Sequence, residues 1–504
     1  AGHFFQAAIA HWRATGSQRL LDVACRLADH ICGIFGPGKR VGTCGHPEIE
    51  MALVELYRAT REEKYLKQAG IFLDNRGKGS LNGDINLQDH MPFRQLDRLA
   101  GHAVRALYLS AGAADLFAET GEADLYHTLE RLWEHMIARQ IYITGGAGAR
   151  YAGEAFGDDW ELPNTRAYAE TCAAIASLMW NWRMLQLNGE ARYADLLEWT
   201  LYNAVLPGVS LDGQAYFYVN PLASDGSHRR QPWFECACCP PNIARTLAAL
   251  PGYFYSLSEE GAWIHQYAAG QADLPLLSGW TLSLTQRTRY PWDGAVEVEI
   301  RAAPSGIPIS LFLRIPGWLG QDGGITLNGY PLDLPLAPGE YLEVRRAWNP
   351  GDSLHLDLPM PVRSVESHPN VLENTGRVAL ARGPILYCAE VCDNYGAQQD
   401  LRQVSLVDVK PCATPEAPVS AQFHPEKLNG MVELTACAAR RPLDPAWEKT
   451  LYRSRPAPLA QSTTKAYRPH SRRRGTSCVL TLIAYFAWAN RQPGQMQMWF
   501  RKEC

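Results

Sequence analysis

The string Cys236-Ala-Cys238-Cys239-Pro240-Pro241-Asn242 places three thiols within four residues. Ionised thiols bind metals and attack carbon, so this cluster could be a metal centre, a nucleophile or both. Adjacent residues do not share a face of a helix or strand, so Cys238 and Cys239 need irregular backbone to act together. Pro240 and Pro241 supply it, because a residue before proline is pushed out of the helical region. Asn242 then suits the cap of a helix starting at Ile243. The expectation is a rigid loop at a helix start, with the two thiols pointing apart, one to a pocket and one to a metal. A zinc site needs four N, S or O ligands. The next candidates are Glu170 and Cys172 in Tyr168-Ala-Glu-Thr-Cys172. Residues two apart on a helix point about 200° from each other. These two share a metal only where the chain is extended or just entering a helix. Cys236 is a rival ligand.

Upstream, Gly145-Gly-Ala-Gly is followed by Glu154, Asp158, Asp159 and Glu161 before Leu162-Pro-Asn164. The glycines are not a phosphate cradle, because no Lys-Ser/Thr follows and no strand–loop–helix context is visible. A long loop with four acids reads either as a carboxylate-rich site wall or as solvated loop acids. Three Gly-His pairs, Gly2-His3, Gly45-His46 and Gly101-His102, each accompany an amphipathic pattern. One such histidine is ordinarily a satisfied structural residue. Three at equivalent helix starts would line one polar pocket.

The elements that must position these groups fall into two kinds. From residue 3 to about 257 the apolar spacing is helical, as in Ile49, Leu53, Leu56 and Tyr57. Further helical stretches are expected at about 17–33, 62–75, 99–119, 122–139, 173–188, 190–205 and 243–257. The pattern lapses at 76–97 and 143–163. Paired helices over some 250 residues imply stacked hairpins, as a solenoid or a closed α/α toroid. After about 263 the period becomes two, as in Val296-Glu-Val298-Glu-Ile300 and Leu354, Leu356 and Leu358. Asn328-Gly329 is a hairpin signal, and frequent Pro and Gly favour a β-sandwich. A second strand set is expected from Gly376. Between Lys449 and Ser477 there are eight Lys or Arg residues and no acid, a pattern that reads as a solvated loop.

The chain has 504 residues, 46% hydrophobic and 20% charged, with a net charge of −4. That balance excludes a disordered chain, a collagen or a coiled coil, and the length implies two to four domains. With no basic footprint, nucleic acid is not an expected partner, and no apolar run is long enough for a membrane helix. The first residues carry no secretion signal and open on a helical pattern, so the chain is expected to begin inside a domain, with earlier helices missing. The 13 cysteines are mostly isolated, which suits small buried hydrophobes in a reducing, cytoplasmic compartment.

The combination resembles glycoside hydrolase family 127, the retaining β-L-arabinofuranosidases, formerly a domain of unknown function. The matching strings are Cys44-Gly-His-Pro-Glu-Ile-Glu, Gly101-His-Ala-Val-Arg-Ala, Gly153-Glu-Ala-Phe, Leu162-Pro-Asn, Ala169-Glu-Thr-Cys-Ala, Leu201-Tyr-Asn, Phe217-Tyr-Val-Asn-Pro-Leu, Glu235-Cys-Ala-Cys-Cys-Pro-Pro-Asn and Trp488-Ala-Asn-Arg. The resemblance implies an (α/α)6 barrel over residues 1–262, N-terminally incomplete as given. It implies a β-sandwich over 263–372, and a second β-rich domain over 373–504 that carries the basic loop at 449–477. It further implies zinc (Zn2+) held by Glu170, Cys172, Cys238 and Cys239, with Cys238 as nucleophile and Glu154 as acid/base. His3, His46, His102 and Tyr218 would bind substrate. The implied partner is a small carbohydrate bearing terminal β-L-arabinofuranose, with no membrane and with a homodimer allowed. Other readings are a related barrel glycosidase of different sugar specificity and a non-catalytic carbohydrate-binding toroid with a structural zinc.

Overall fold

The fold was obtained as a computed structural model that describes residues 1–320, 322–394, 400–407, 419–440 and 476–503. The basic stretch from Lys449 lies outside the described residues up to position 475. Among the described residues the helical part comprises α1 (Gly2–Thr15), α2 (Arg19–Ile34), α3 (Ile49–Thr60), α4 (Glu63–Asp74), α5 (Ala103–Thr120), α6 (Ala123–Arg139), α7 (Thr171–Asn188), α8 (Ala191–Thr200) and α9 (Cys239–Ala249). The odd-numbered helices form one row, each packed on the next, and α2, α4, α6 and α8 lie against them as the return arms of hairpins. Composition follows position. α5 and α7 are buried along most of their length and rich in Ala. α6 buries one stripe, Leu125, Leu129, Leu132 and Met136, and turns charge outward.

Three expectations about the helices need correction. α9 begins at Cys239, four residues before Ile243, with Pro240 and Pro241 in its first turn. Proline is tolerated there because first-turn N–H groups have no helical acceptor to lose. Asn242 is therefore not a cap; its amide donates to the Tyr108 hydroxyl at 3.0 Å. The same helix stops at Ala249, where Leu250-Pro251-Gly252 forms a 3-10 turn, and Tyr255–Leu257 is already a strand.

The strand part forms two bodies. Residues 255–357 make a four-stranded and a six-stranded sheet. Their inner faces share one core that includes Leu282, Val298, Leu311, Leu313 and Leu354, as the period-two pattern requires. Asn328 and Gly329 both have positive φ, 52° and 83°, and close the expected tight hairpin. From Val362 onward the nine described strands join one hydrogen-bonded sheet, and Ala223–Ser224, a segment ahead of α9, adds the tenth at its edge through Met496 and Gln497. No helix among the described residues is long and apolar enough to cross a membrane.

Candidate active site

The inner helices all start at one end of the row, and the residues at their starts carry the chemistry. The residue immediately before the first turn is Glu48 for α3, His102 for α5, Glu170 for α7 and Cys238 for α9. Each helix start offers unpaired N–H groups and the positive end of its dipole, which favour anionic side chains there. Glu170 is extended (φ −60°, ψ 137°) and Cys172 lies just inside α7. This is the geometry in which residues two apart can converge. Glu170 is held from both sides. It pairs with Val219 in a β-bridge, Thr171 N–H donates to the Tyr218 carbonyl at 2.9 Å, and the Asn220 amide donates to the Ala169 carbonyl at 2.9 Å.

The ligand atoms of Glu170, Cys172, Cys238 and Cys239 lie within 4.8 Å of one another. Cys172 Sγ and Cys239 Sγ are 3.5 Å apart, and Cys238 Sγ and Cys239 Sγ 3.7 Å. Glu170 Oε1 lies 3.4 Å from Cys238 Sγ and 3.8 Å from Cys239 Sγ. A tetrahedron with metal–sulfur bonds of about 2.3 Å has edges of about 3.8 Å, so these spacings fit one small divalent ion. Burial, together with the charge of Cys238, pushes the Glu170 carboxyl well above its ordinary range, and burial and the neighbouring thiols push the Cys239 thiol up. Hydrogen bonds from the Cys172 and Cys239 thiols, then from Tyr218, push Cys238 down. Glu170 Oε2 is buried and has no hydrogen-bond partner. A soft, buried donor set with an orphaned carboxylate oxygen is what a thiolate-rich zinc site requires. The expectation that the adjacent thiols point apart is wrong. Cys238 is itself helical (φ −77°, ψ −43°), so irregular backbone is not needed: the start of α9 turns successive side chains by only about 100°, which leaves both thiols in one cluster. Cys236 is exposed and lies outside the cluster.

Glu154 sits beside this group. Gly153 and Glu154 both have positive φ, 71° and 51°. Two left-handed residues in succession turn the chain sharply, and a strained non-glycine residue at a polar site is a functional signal. A Cβ on Gly153 would lie 2.7 Å from Asn86 Oδ1, so glycine is required there. The turn is tied to α5 by a β-bridge between Ala155 and His102 and by the Phe156 N–H donating to the Gly101 carbonyl at 2.9 Å. His102 Nε2 lies 2.9 Å from Glu154 Oε2. That hydrogen bond, with one from Tyr168, holds the Glu154 carboxyl below its ordinary range despite partial burial. One carboxylate oxygen each from Glu154 and Glu170 and one ring nitrogen of His102 fall within 4.8 Å. Asp158 and Glu161 instead pair with Arg150, and Asp159 lies 3.3 Å from His135. Those acids brace the loop.

The remaining candidates surround this pair. The Tyr218 hydroxyl is 3.1 Å from Cys238 Sγ. The His46 ring stands 6.3 Å from that of His102 and 6.1 Å from that of Tyr108. Burial, then Arg105, keeps His46 neutral by lowering it to about 4. Its loop is fixed by buried Arg76, which donates to the Cys44 carbonyl at 2.8 Å and to Glu50 Oε1 at 3.0 Å. His3 is at the rim, 61% exposed, with Nδ1 3.2 Å from Glu48 Oε1.

The comparisons with known proteins agree over the chain. The family description "Beta-L-arabinofuranosidase, GH127 catalytic domain" matches residues 1–252, the GH127 middle domain 261–360 and the "Glycoside hydrolase family 127 C-terminal domain" 362–501. The chain belongs to glycoside hydrolase family 127. A non-reducing end β-L-arabinofuranosidase of Bifidobacterium longum is 36% identical over 99% of this chain and 78% of its own. A GH127 β-L-arabinofuranosidase of Geobacillus stearothermophilus T6 superposes with a TM-score of 0.88 at 37% identity, covering 100% of this chain and 79% of that one. A solved GH127 β-arabinofuranosidase, BT3674, gives 0.87 at 37% identity, covering 100% and 76%.

Within this family 127 chain the sequence reading missed several residues at the pocket. Tyr168 hydrogen-bonds Glu154. Tyr108 receives Asn242 and Arg245, the latter at 2.9 Å. Arg245 also reaches Gln6 of α1 at 2.8 Å. Buried Glu48 faces Gly2, where a Cβ would lie 1.8 Å from its Oε2. Tyr168 and Glu48 lie inside strings already singled out. Nothing local in sequence marks Tyr108, whose partners are more than 100 residues away, or the reach of Arg245 from its neighbour Asn242 to Tyr108 and Gln6.

Proposed function

We propose that this glycoside hydrolase releases terminal β-L-arabinofuranose from arabino-oligosaccharides or glycoconjugates with retention of configuration. Its nucleophile is Cys238, its acid/base is Glu154, and zinc is held by Glu170, Cys172, Cys238 and Cys239. The observation that carries the reading is the convergence of one thiol and one carboxylate, Cys238 and Glu154, on Glu170. When bound, zinc supplies the charge that keeps the thiols ionised and damps their basicity. Cys238 Sγ forms a bond to the anomeric carbon as the bond to the leaving oxygen breaks, and Glu154 gives that oxygen a proton. In the second step Glu154 takes a proton from water, the water oxygen bonds to the anomeric carbon, and the carbon–sulfur bond returns its electrons to Cys238. The hydrogen bond from His102 favours ionised Glu154, the form the second step needs. Tyr218, beside Cys238, and His46, His102 and His3 hold sugar hydroxyls. The alternation of inner and outer helices supports an (α/α)6 barrel as the parent architecture. A thiol-dependent site supports a reducing compartment, the cytoplasm, as its location. Names of relatives at 36–37% identity support the sugar specificity. The test is hydrolysis of an aryl β-L-arabinofuranoside, with the first-formed anomer read by NMR and the labelled residue read by mass spectrometry after treatment with an arabinofuranose-configured epoxide. A retained product and an adduct on Cys238 are expected. An inverted product, or an adduct on Cys239, overturns the assignment.

A further inference from the structure

A groove with a cavity volume of about 660 Å³ runs beside the Glu154 loop. One wall is Tyr151, Trp160 and Arg166 of the helical part, and the other is Val371 and Leu372 of the C-terminal part. Two large apolar side chains are left exposed on it, Tyr151 at 54% and Leu372 at 82%. A T-shaped contact with Tyr168, ring centroids 4.9 Å apart, holds the Tyr151 ring while about half of the residue stays exposed. Tyr168 in turn hydrogen-bonds Glu154. The groove is thus separated from the acid/base by a single side chain.

We propose that this groove is the aglycone site and that it takes a second sugar ring stacked on Tyr151; the proposal rests on the hydrolase reading above. The reaction geometry selects it. In each displacement the nucleophile and the leaving oxygen occupy opposite faces of the anomeric carbon. What is attached to the leaving oxygen extends away from Cys238 and past the group that protonates it, Glu154. A half-exposed aromatic ring held by a neighbouring ring supplies a rigid apolar platform, and the groove volume is in the range of small-ligand sites. Leu372 makes the C-terminal part a wall of the substrate site.

The covalent intermediate offers a readout independent of the leaving group. With an aryl β-L-arabinofuranoside as donor and methyl α-L-arabinofuranoside as acceptor, the intermediate partitions between water and sugar. In transfer, the acceptor oxygen bonds to the anomeric carbon as the carbon–sulfur bond breaks, and Glu154 takes the acceptor proton. The ratio of disaccharide to free arabinose is internal to one reaction, so loss of folded protein leaves it unchanged. Tyr151→Ala should lower the ratio by about tenfold, and Leu372→Ala should lower it less, while Tyr151→Phe stays within about twofold of the parent. An unchanged ratio in Tyr151→Ala, or a parent enzyme that hydrolyses the donor but transfers to no sugar, overturns the groove alone. A parent enzyme inert on the donor overturns the hydrolase reading and the groove with it.

Discussion

Cys172 and Cys236 compete for one place beside Cys238 and Cys239, and position decides between them. Cys236 is two residues from Cys238 but exposed, whereas Cys172 is 67 residues from Cys239 and 3.5 Å away. Metal content of purified protein should therefore fall from one zinc per chain to near zero in Cys172→Ala and stay near one in Cys236→Ala. Metal loss only in the Cys236 variant would contradict the cluster. Glu154 differs from the loop's other acids in the same way, by partner: Asp158 and Glu161 have Arg150, and Glu154 has His102 and a carboxylate neighbour. Glu154→Gln should slow turnover most for poor leaving groups, by about 10²–10⁴-fold. Azide should partly restore it on an activated aryl glycoside, since an anion needs no deprotonation. Equal rates for the variant and the parent across a series of leaving groups would remove Glu154 from the proton transfers.

Helix starts organise the site, and they show why some of it was legible in sequence. The 3.6-residue period locates α3 to α7 to within a few residues, because each buries a continuous stripe or is buried throughout. It also leaves 76–97 and 143–163 as irregular, which is where Arg76, Asp89 and Glu154 act. What could not be read is how those segments are held, since Arg76 bonds Cys44 and Asp89 accepts from Gly77, Leu81 and Gly83 without any repeating pattern. The start of α9 was misplaced because two prolines signal a break to a local rule and a first turn in the fold. Leu201-Tyr-Asn203 is legible as the end of the helical stretch at 190–205 and as a family string, but its contact with the C-terminal part is not. In the structure it is a π-helical turn at the end of α8, over residues 201–205. Asn203 there donates to the Pro384 carbonyl at 2.8 Å and accepts from the Leu386 N–H at 2.8 Å. It satisfies two buried backbone groups of the C-terminal sheet from the helical part. Asn203→Ala leaves both unpaired and should cost about 2–4 kcal/mol, seen as a lower midpoint in chemical denaturation. Zinc content measured below that midpoint should be normal, because no ligand is touched. A variant as stable as the parent would mean that these groups find other partners.

At the scale of the molecule, the middle sheets dock on α8 through one buried cation. Arg314 pairs with Asp195 and Glu198 of that helix, and its side chain is fully buried. It also donates to the His265 carbonyl at 2.6 Å. His265 is enclosed at the same junction. Ser256 Oγ lies 2.7 Å from its Nε2, the Tyr341 hydroxyl lies 2.5 Å from its Nδ1, and the Trp182 ring stands edge-on at 5.6 Å. Burial, and then the charge of Arg314, lowers His265 to about 3, against about 6.5 in an unfolded chain. The folded state therefore refuses a proton that the unfolded state accepts. The stabilisation tied to neutral His265 is complete above about pH 6.5 and is lost as pH falls from there toward 3. At pH 5 the cost is about 2 kcal/mol, from about 1.5 pH units at ~1.4 kcal/mol each. His265→Gln keeps a donor and an acceptor but cannot titrate. It should start less stable at pH 7.5, because amide geometry does not match the ring. It should then lose less on acidification, so that its denaturation midpoint falls more shallowly than the parent's between pH 7.5 and 5. The difference of the two slopes isolates this histidine, since every other titrating group is common to both proteins. Parallel curves would mean that acid opens the junction at a different group.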